Sequence, residues 1–187
     1  MSTSLKNKNI LVGVTGGIAV FKVCSLINHF IKEGADVRVV MTEAAKKFVT
    51  PLTFQALTNH PVYSDLFEIY DQNAVEHIWL AKWPHIFVLA PATANTIGKI
   101  AYGFADNMLT TVIMALPKKT KVLIAPAMNT EMWNNEIVQK NVSSLRKTKK
   151  YFFVEPRGGI LACRDEGIGK IADLDVIFKM AKEILSQ

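Results

Sequence analysis

Cysteine is scarce, with two in 187 residues, Cys24 and Cys163. So thin a supply excludes a disulfide framework. Neither cysteine sits with a histidine at metal-ligand spacing, so no zinc site, and no metal, is expected. No apolar stretch is long enough to span a bilayer, and the first apolar run, "ILVGV", is too short for the core of a secretory leader. A cytoplasmic setting with reduced thiols and no membrane partner is therefore expected. Long polar, proline-rich or repetitive stretches are missing too, so residues 1–187 read as one domain. Acidic side chains are the minority, 16 against 22 Lys and Arg, for a formal charge of +6. The cations are scattered, with local concentrations such as "LKNKN" and "RKTKK". Basic and aromatic residues do not interleave, so no nucleic-acid partner is expected, and an anionic small molecule accounts for the charge as well.

What the chain does contain is a series of short, β-branched apolar runs: "NILVGV" (9–14), "DVRVVM" (36–41), "HIFVLA" (85–90), "KVLIAP" (121–126) and "YFFVEP" (151–156). Several are apolar almost throughout, as strands covered on both faces of a parallel sheet must be. Helical patterns lie between them. "GIAVFKVCSLINHFIKEG" sets Val20, Val23, Leu26, Ile27, Phe30 and Ile31 on one face, with Gly34 as a stop. "ANTIGKIAYGFADNMLTTVIMAL" and "EIVQKNVSSLRKT" are further helical candidates. The alternation predicts an α/β fold: a Rossmann-like, three-layer open parallel sheet with helices on both faces. Ligands of such sheets sit beyond the carboxyl ends of the strands.

The first strand is followed by "TGGIA" (15–19), where two glycines permit close backbone approach and the next helix offers unpaired N–H groups to an anion. Its spacing matches neither the dinucleotide fingerprint nor the Walker loop. "TEAAKKF" (42–48) follows the second strand, and Thr42 can cap a helix or bind phosphate. "PATANT" (91–96) follows the third long run; Pro91 is expected to stop the strand, and Thr93, Asn95 and Thr96 supply polar handles beside small residues. "PAMNTEMW" (126–133) follows the fourth, again a proline, a small residue and an asparagine. Two strand ends sharing this pattern predict two walls of one pocket.

"PATANT", "GFADNMLTT" and "PAMNTEMW" together resemble the homo-oligomeric flavin-containing cysteine decarboxylases, and the likeness runs from "GVTGGIA" to "ACRDEGIGKIAD". The resemblance implies a flavodoxin-like fold, bound FMN, and trimers or assemblies of trimers in which FMN lies near a subunit interface. It implies that Gly17, Ile18 and Thr42 surround the FMN phosphate and ribityl chain. Thr93, Ala94, Asn95 and Thr96 would line the FMN site with Asp106 and Ala127 nearby. Asn129 would contact a substrate carboxylate, with Met128, Met132 and Trp133 as apolar walls keeping water away. His77 matches the family's active-site histidine, and imidazole suits a general base. His85 falls at a strand start, the wrong end of the sheet, and His29 and His60 read as structural or solvated.

Direct loss of CO₂ from a C-terminal cysteine would leave an unstabilised carbanion. Oxidation of the thiol to a thioaldehyde, which the resemblance assigns to FMN, gives those electrons a C=S bond to enter as an enethiolate. One branch of the family acts on 4'-phosphopantothenoylcysteine in coenzyme A biosynthesis and re-reduces the product to 4'-phosphopantetheine. Another acts on lantibiotic precursor peptides, and some relatives are non-catalytic regulators with long acidic tails, which this chain lacks. "GGILACRDEGIGKIAD" (158–173) reads as a mobile substrate flap and resembles the coenzyme A branch, which implies Cys163 as proton donor. Arg164 stands where the family usually has glycine, and Lys170 is available to attract a substrate phosphate. Cys24, inside a helical pattern, reads as inert core.

Overall fold

Six parallel strands form one sheet in the order β3-β2-β1-β4-β5-β6, in a computed structural model that describes residues 4–68, 75–160, 164 and 166–187. The strands are β1 (Asn9–Val14), β2 (Asp36–Met41), β3 (Val62–Tyr63), β4 (Ile86–Ala92), β5 (Lys121–Pro126) and β6 (Tyr151–Phe153). The order reverses between β1 and β4, the doubly wound arrangement of Rossmann-like sheets, in which a crevice opens where neighbouring strands connect in opposite directions. A separate antiparallel ribbon pairs β7 (Arg157–Ile160) with β8 (Glu166–Lys170).

Side-chain alternation explains why the strands read as nearly unbroken apolar runs. On β1, Ile10, Val12 and Val14 enter one core while Leu11 enters the other; on β5, Leu123 and Ala125 oppose Val122 and Ile124. The first core is closed by α1 (Val20–Lys32), α2 (Pro51–Thr58) and α8 (Leu174–Leu185). The second is closed by α3 (Glu76–Lys82), α4 (Ala94–Ala101), α5 (Met108–Ala115) and α7 (Glu136–Arg146), with the short α6 (Thr130–Asn134) beside it. Val20, Val23, Leu26, Ile27 and Phe30 form the buried stripe of α1, and Ile31 packs partly buried beside them, as the periodicity predicts.

Two expectations change. The stretch 94–116, expected as one helix, is two: Gly103 takes φ +75°, and Asn107 starts α5 with a reciprocal cap to Thr110. Pro91 does not end β4, which continues to Ala92. The ladder to β5 shifts register between Leu89 and Ala92, so the missing N–H of Pro91 falls in the irregularity, and pairing resumes at Ala92↔Pro126. Segment 158–173, expected as a substrate flap, contains most of β7 and all of β8 among its described residues.

The helix that carries His77 is tied to the sheet by an aromatic clamp. The Arg38 guanidinium of β2 lies 4.7 Å from the Trp79 ring and 5.1 Å from Trp83, and donates to the Tyr63 hydroxyl at 2.7 Å. Among the described residues, no helix is long and apolar enough to cross a membrane.

Gly13 shows how tightly the second core is filled, since a Cβ there would lie 2.6 Å from Cζ of the buried Phe87. Gly13→Ala is expected to destabilise the protein by about 1–3 kcal/mol in urea unfolding. Adding Phe87→Leu is expected to recover part of that loss; strictly additive effects would show that this contact does not limit packing.

Candidate active site

The carboxyl ends of β1, β4 and β5 are held together by a small polar lock. Thr15, buried just after β1, donates its hydroxyl to the Pro91 carbonyl at 2.6 Å and accepts the Thr93 N–H at 3.1 Å. The Ala127 N–H then donates to the Ala92 carbonyl at 3.0 Å, joining β4 to β5. The two proline-alanine segments are thus adjacent walls, as their shared pattern predicts.

Between these ends and the ribbon lies a cavity of about 570 Å³, within the range of small-molecule sites. Gly16 and Gly17 form one rim. A Cβ on Gly16 would collide with Ala44, so that glycine lets the β1 and β2 loops touch, whereas a Cβ on Gly17 would meet nothing, and its face is open. Thr93 caps α4 by accepting the Thr96 N–H at 3.3 Å, and with Ala94 it lines the opposite wall. Asn129 lines the third side and caps α6, its Oδ1 accepting the Glu131 N–H at 2.8 Å.

The ribbon reaches this site by backbone contact. The Met128 N–H donates to the Gly169 carbonyl at 3.0 Å, and a Cβ on Gly169 would collide with the Met128 carbonyl. Gly169 also takes φ +154°, and Gly167 leaves room for Thr130. A side chain at either glycine would push the ribbon off the "PAMNTEMW" loop.

Of the residues singled out in the sequence, Gly17, Ile18, Thr93, Ala94, Ala127, Asn129, Met132 and Lys170 line the one cavity. Thr42 does not line it; its hydroxyl accepts the Ala45 N–H at 3.3 Å at a helical turn. Asn95 points to solvent, and Thr96 is buried beneath the start of α4, so neither side chain lines the cavity. Asp106 lies on the exposed α4–α5 loop, where the Lys99 ammonium, 2.5 Å away, hydrogen-bonds its carboxylate and holds its pKa below the usual range. Trp133, expected as a cavity wall, turns into the second core because α6 presents that side to α7. Met128 and Met132 do line the cavity.

His77 is the second residue of α3, partly buried, and is not among the cavity-lining residues. Because α3 runs antiparallel into β4, its first turn faces the carboxyl edge of the sheet, the same edge as the cavity. Cys163 lies outside the described residues. Arg164 takes φ +70°, the left-handed conformation that glycine favours, so arginine there carries the strain its position suggested. His85 sits at the amino edge accepting the Asn9 N–H, His60 pairs with Asp36, and His29 stacks on Phe178, all away from the cavity. Burial raises the Cys24 thiol pKa, which keeps it protonated and inert.

The sequence assigned no site role to Phe21, Lys22, Ile160 and Ile171, which also line the cavity. A signal existed for one of them: Phe21 falls off the apolar stripe of α1 and is 57% exposed, out of character for an aromatic in an otherwise well-sorted helix.

The Flavoprotein family model matches residues 1–186, and the chain belongs to that family. It is 46% identical over 178 residues to a probable phosphopantothenoylcysteine decarboxylase of Streptococcus mutans, covering 95% of this chain and 99% of that protein. It is also 46% identical over 179 residues to the coenzyme A biosynthesis bifunctional protein CoaBC of Bacillus subtilis, where the match covers 96% of this chain but 43% of the relative. The chain thus spans less than half of that bifunctional relative. Among solved structures, a PPC decarboxylase mutant complexed with pantothenoylaminoethenethiol superposes with a TM-score of 0.88 at 31% identity, covering 97% of this chain and all of that one. The FMN-dependent cysteine decarboxylase SpaF superposes with a TM-score of 0.84 at 30% identity, over 98% of this chain and 99% of that one.

The Gly169 contact can be tested directly. Gly169→Ala is expected to cost about 1–3 kcal/mol in urea unfolding and to open the ribbon to protease. Unchanged stability together with unchanged cleavage would mean that the Met128 contact does not hold the ribbon.

Proposed function

We propose that the protein decarboxylates 4'-phosphopantothenoylcysteine to 4'-phosphopantetheine in coenzyme A biosynthesis, using bound FMN. The observation that carries this reading is the joining of Thr93, Ala127 and Asn129, from three motifs far apart in sequence, around one cavity at the carboxyl edge of the sheet. The likeness to the Streptococcus mutans relative over its whole length supports the same substrate.

The cavity fits a flavin. The open face of Gly17, the small side chains of Ala94 and Ala127, and the hydroxyl of Thr93 leave a broad space with few projecting groups. In this reading Gly17 and Ile18 border the cofactor's phosphate and ribityl chain, with Thr42 behind that wall, its N–H donating to the Val14 carbonyl, while Thr93, Ala94 and Ala127 border its ring. Bound FMN supplies reversible two-electron chemistry at the substrate's thiol-bearing carbon, which makes loss of CO₂ feasible.

The chain's own residues position and protonate. Asn129, whose Oδ1 accepts the Glu131 N–H, lines the cavity and receives the substrate carboxylate through its side-chain amide. Met128 and Met132 keep water from that contact, so the hydrogen bond forms in a less polar medium. His77 acts as base and Cys163 protonates the enethiolate. His77, Asn95 and Asp106 do not line the cavity of a single chain, which fits a homotrimer, or assembly of trimers, with the site near a subunit boundary. The exposed Tyr102 and Phe104 beside Asp106 suit such a boundary. The setting proposed for this activity is the cytoplasm.

Incubation of purified protein with 4'-phosphopantothenoylcysteine, followed by CO₂ release and product mass, tests the reading; absence of both products rejects it. His77→Asn is expected to retain FMN and lower turnover by about 10²–10⁴-fold. Full activity in that variant rejects His77 as base. Cys163→Ser is expected to accumulate the unsaturated enethiol, two mass units below the reduced product by the loss of about two hydrogens. Normal saturated product from Cys163→Ser removes that cysteine from the mechanism.

A further inference from the structure

Among the described residues that line the cavity two are charged, and both are lysines: Lys22 and Lys170. They come from different parts of the fold. Lys22 stands in the first turn of α1, its Nζ 5.9 Å from the centre of the Phe21 ring. Lys170 closes β8, its side chain lying along Gly159 so that a Cβ there would be 3.4 Å from Nζ. Both are partly buried. Neither forms an ion pair with a described carboxylate, whereas Lys46, Lys99, Arg146 and Arg157 each do. Among the described residues, no Asp or Glu lines the cavity. Two cations drawn partly out of water into an apolar cavity, with no counter-charge from the described residues, favour a ligand that brings its own negative charge.

We propose that Lys22 and Lys170 together receive the terminal phosphate of the substrate and so select a phosphorylated conjugate over an unphosphorylated one. This rests on the decarboxylase reading, in which the substrate carries two anionic groups. Asn129 is a neutral amide, matched to the carboxylate at the reacting end. The glycine rim and the start of α1 offer backbone N–H groups to the cofactor's phosphate. The lysines are then the groups left for the second anion of the substrate. An ammonium on a flexible stem suits a terminal phosphate, which needs charge more than fixed geometry. One lysine stands on the rigid α1, the other on a ribbon held to the loop by the Gly169–Met128 contact. Phosphate binding therefore bridges the scaffold and the ribbon, and a C-terminal peptide lacking that phosphate forgoes the bridge.

The test uses the FMN-loaded protein and two unreactive probes, 4'-phosphopantothenate and pantothenate, measured by calorimetry. The wild type is expected to prefer the phosphorylated probe. Lys22→Gln and Lys170→Gln are each expected to weaken that probe by about ten- to a hundredfold, the worth of a charged hydrogen bond, and to leave pantothenate binding unchanged. Lys22→Arg is expected to retain most of the preference, because the charge remains. Equal binding of both probes to the wild type would overturn the proposal. So would Gln variants that lose both probes equally, or that lose flavin absorbance, since the lysines would then serve the fold or the cofactor. Carbon dioxide release separates this inference from the one beneath it. Phosphate preference without release supports the lysine site and rejects the decarboxylation, while release without preference does the reverse.

Discussion

A single buried hydroxyl holds the architecture of the site. Thr15 donates to one backbone group of the β4 end and accepts from another, so the β1 and β4 ends cannot separate without leaving buried polar groups unpaired. The Ala127–Ala92 hydrogen bond extends the lock to β5. The strands diverge in their connections at this point of the sheet, so a crevice is bound to open there. What the lock adds is that its walls, Thr93 and Ala94 on one side and Ala127 to Asn129 on the other, stay in fixed relation. A pocket that must hold a flat ring depends on that constancy more than on any one contact to the ring.

Close backbone approach is the second constraint. Gly16 brings the β2 loop against the β1 end, and Gly169 brings the ribbon against Met128. Neither contact tolerates a side chain. The glycines thus act where two chain segments meet, and the cavity is the space those meetings leave. The ribbon residues Ile160, Lys170 and Ile171 reach the cavity only because Gly169 lets β8 lie flat on the loop.

Much of this was legible in the chain. The runs 9–14, 36–41 and 121–126 coincide with β1, β2 and β5, because strands buried on both faces must be apolar at every position and such runs are hard to mistake. The α1 stripe was equally clear. The misreadings have particular causes. Residues 94–116 are apolar enough to suggest one helix, but the chain turns at Gly103 and Asn107 supplies a cap whose worth depends on α5 packing elsewhere. Pro91 ordinarily stops a strand; here it occupies a register irregularity that is visible only once β5 lies alongside. The two-residue β3 carries too little pattern to detect. Trp133 looked like a cavity wall because its neighbours are, but α6 turns it inward.

The sequence by itself determined the layered α/β class, the position of most strands and the identity of the strand-end motifs, because these follow from local periodicity and turn chemistry. It also carried the resemblance that names a chemistry. Which of the motif residues share one space was decided only by tertiary structure. Asn95 and Thr96 stand in the same motif as Thr93 and Ala94, yet only the latter two face the cavity, since a helix start sends successive side chains in different directions. Lys22 and Lys170, 148 positions apart, meet at one cavity because α1 and the ribbon pack around the same strand ends. That convergence depends on contacts between distant segments, which no local pattern along the chain encodes.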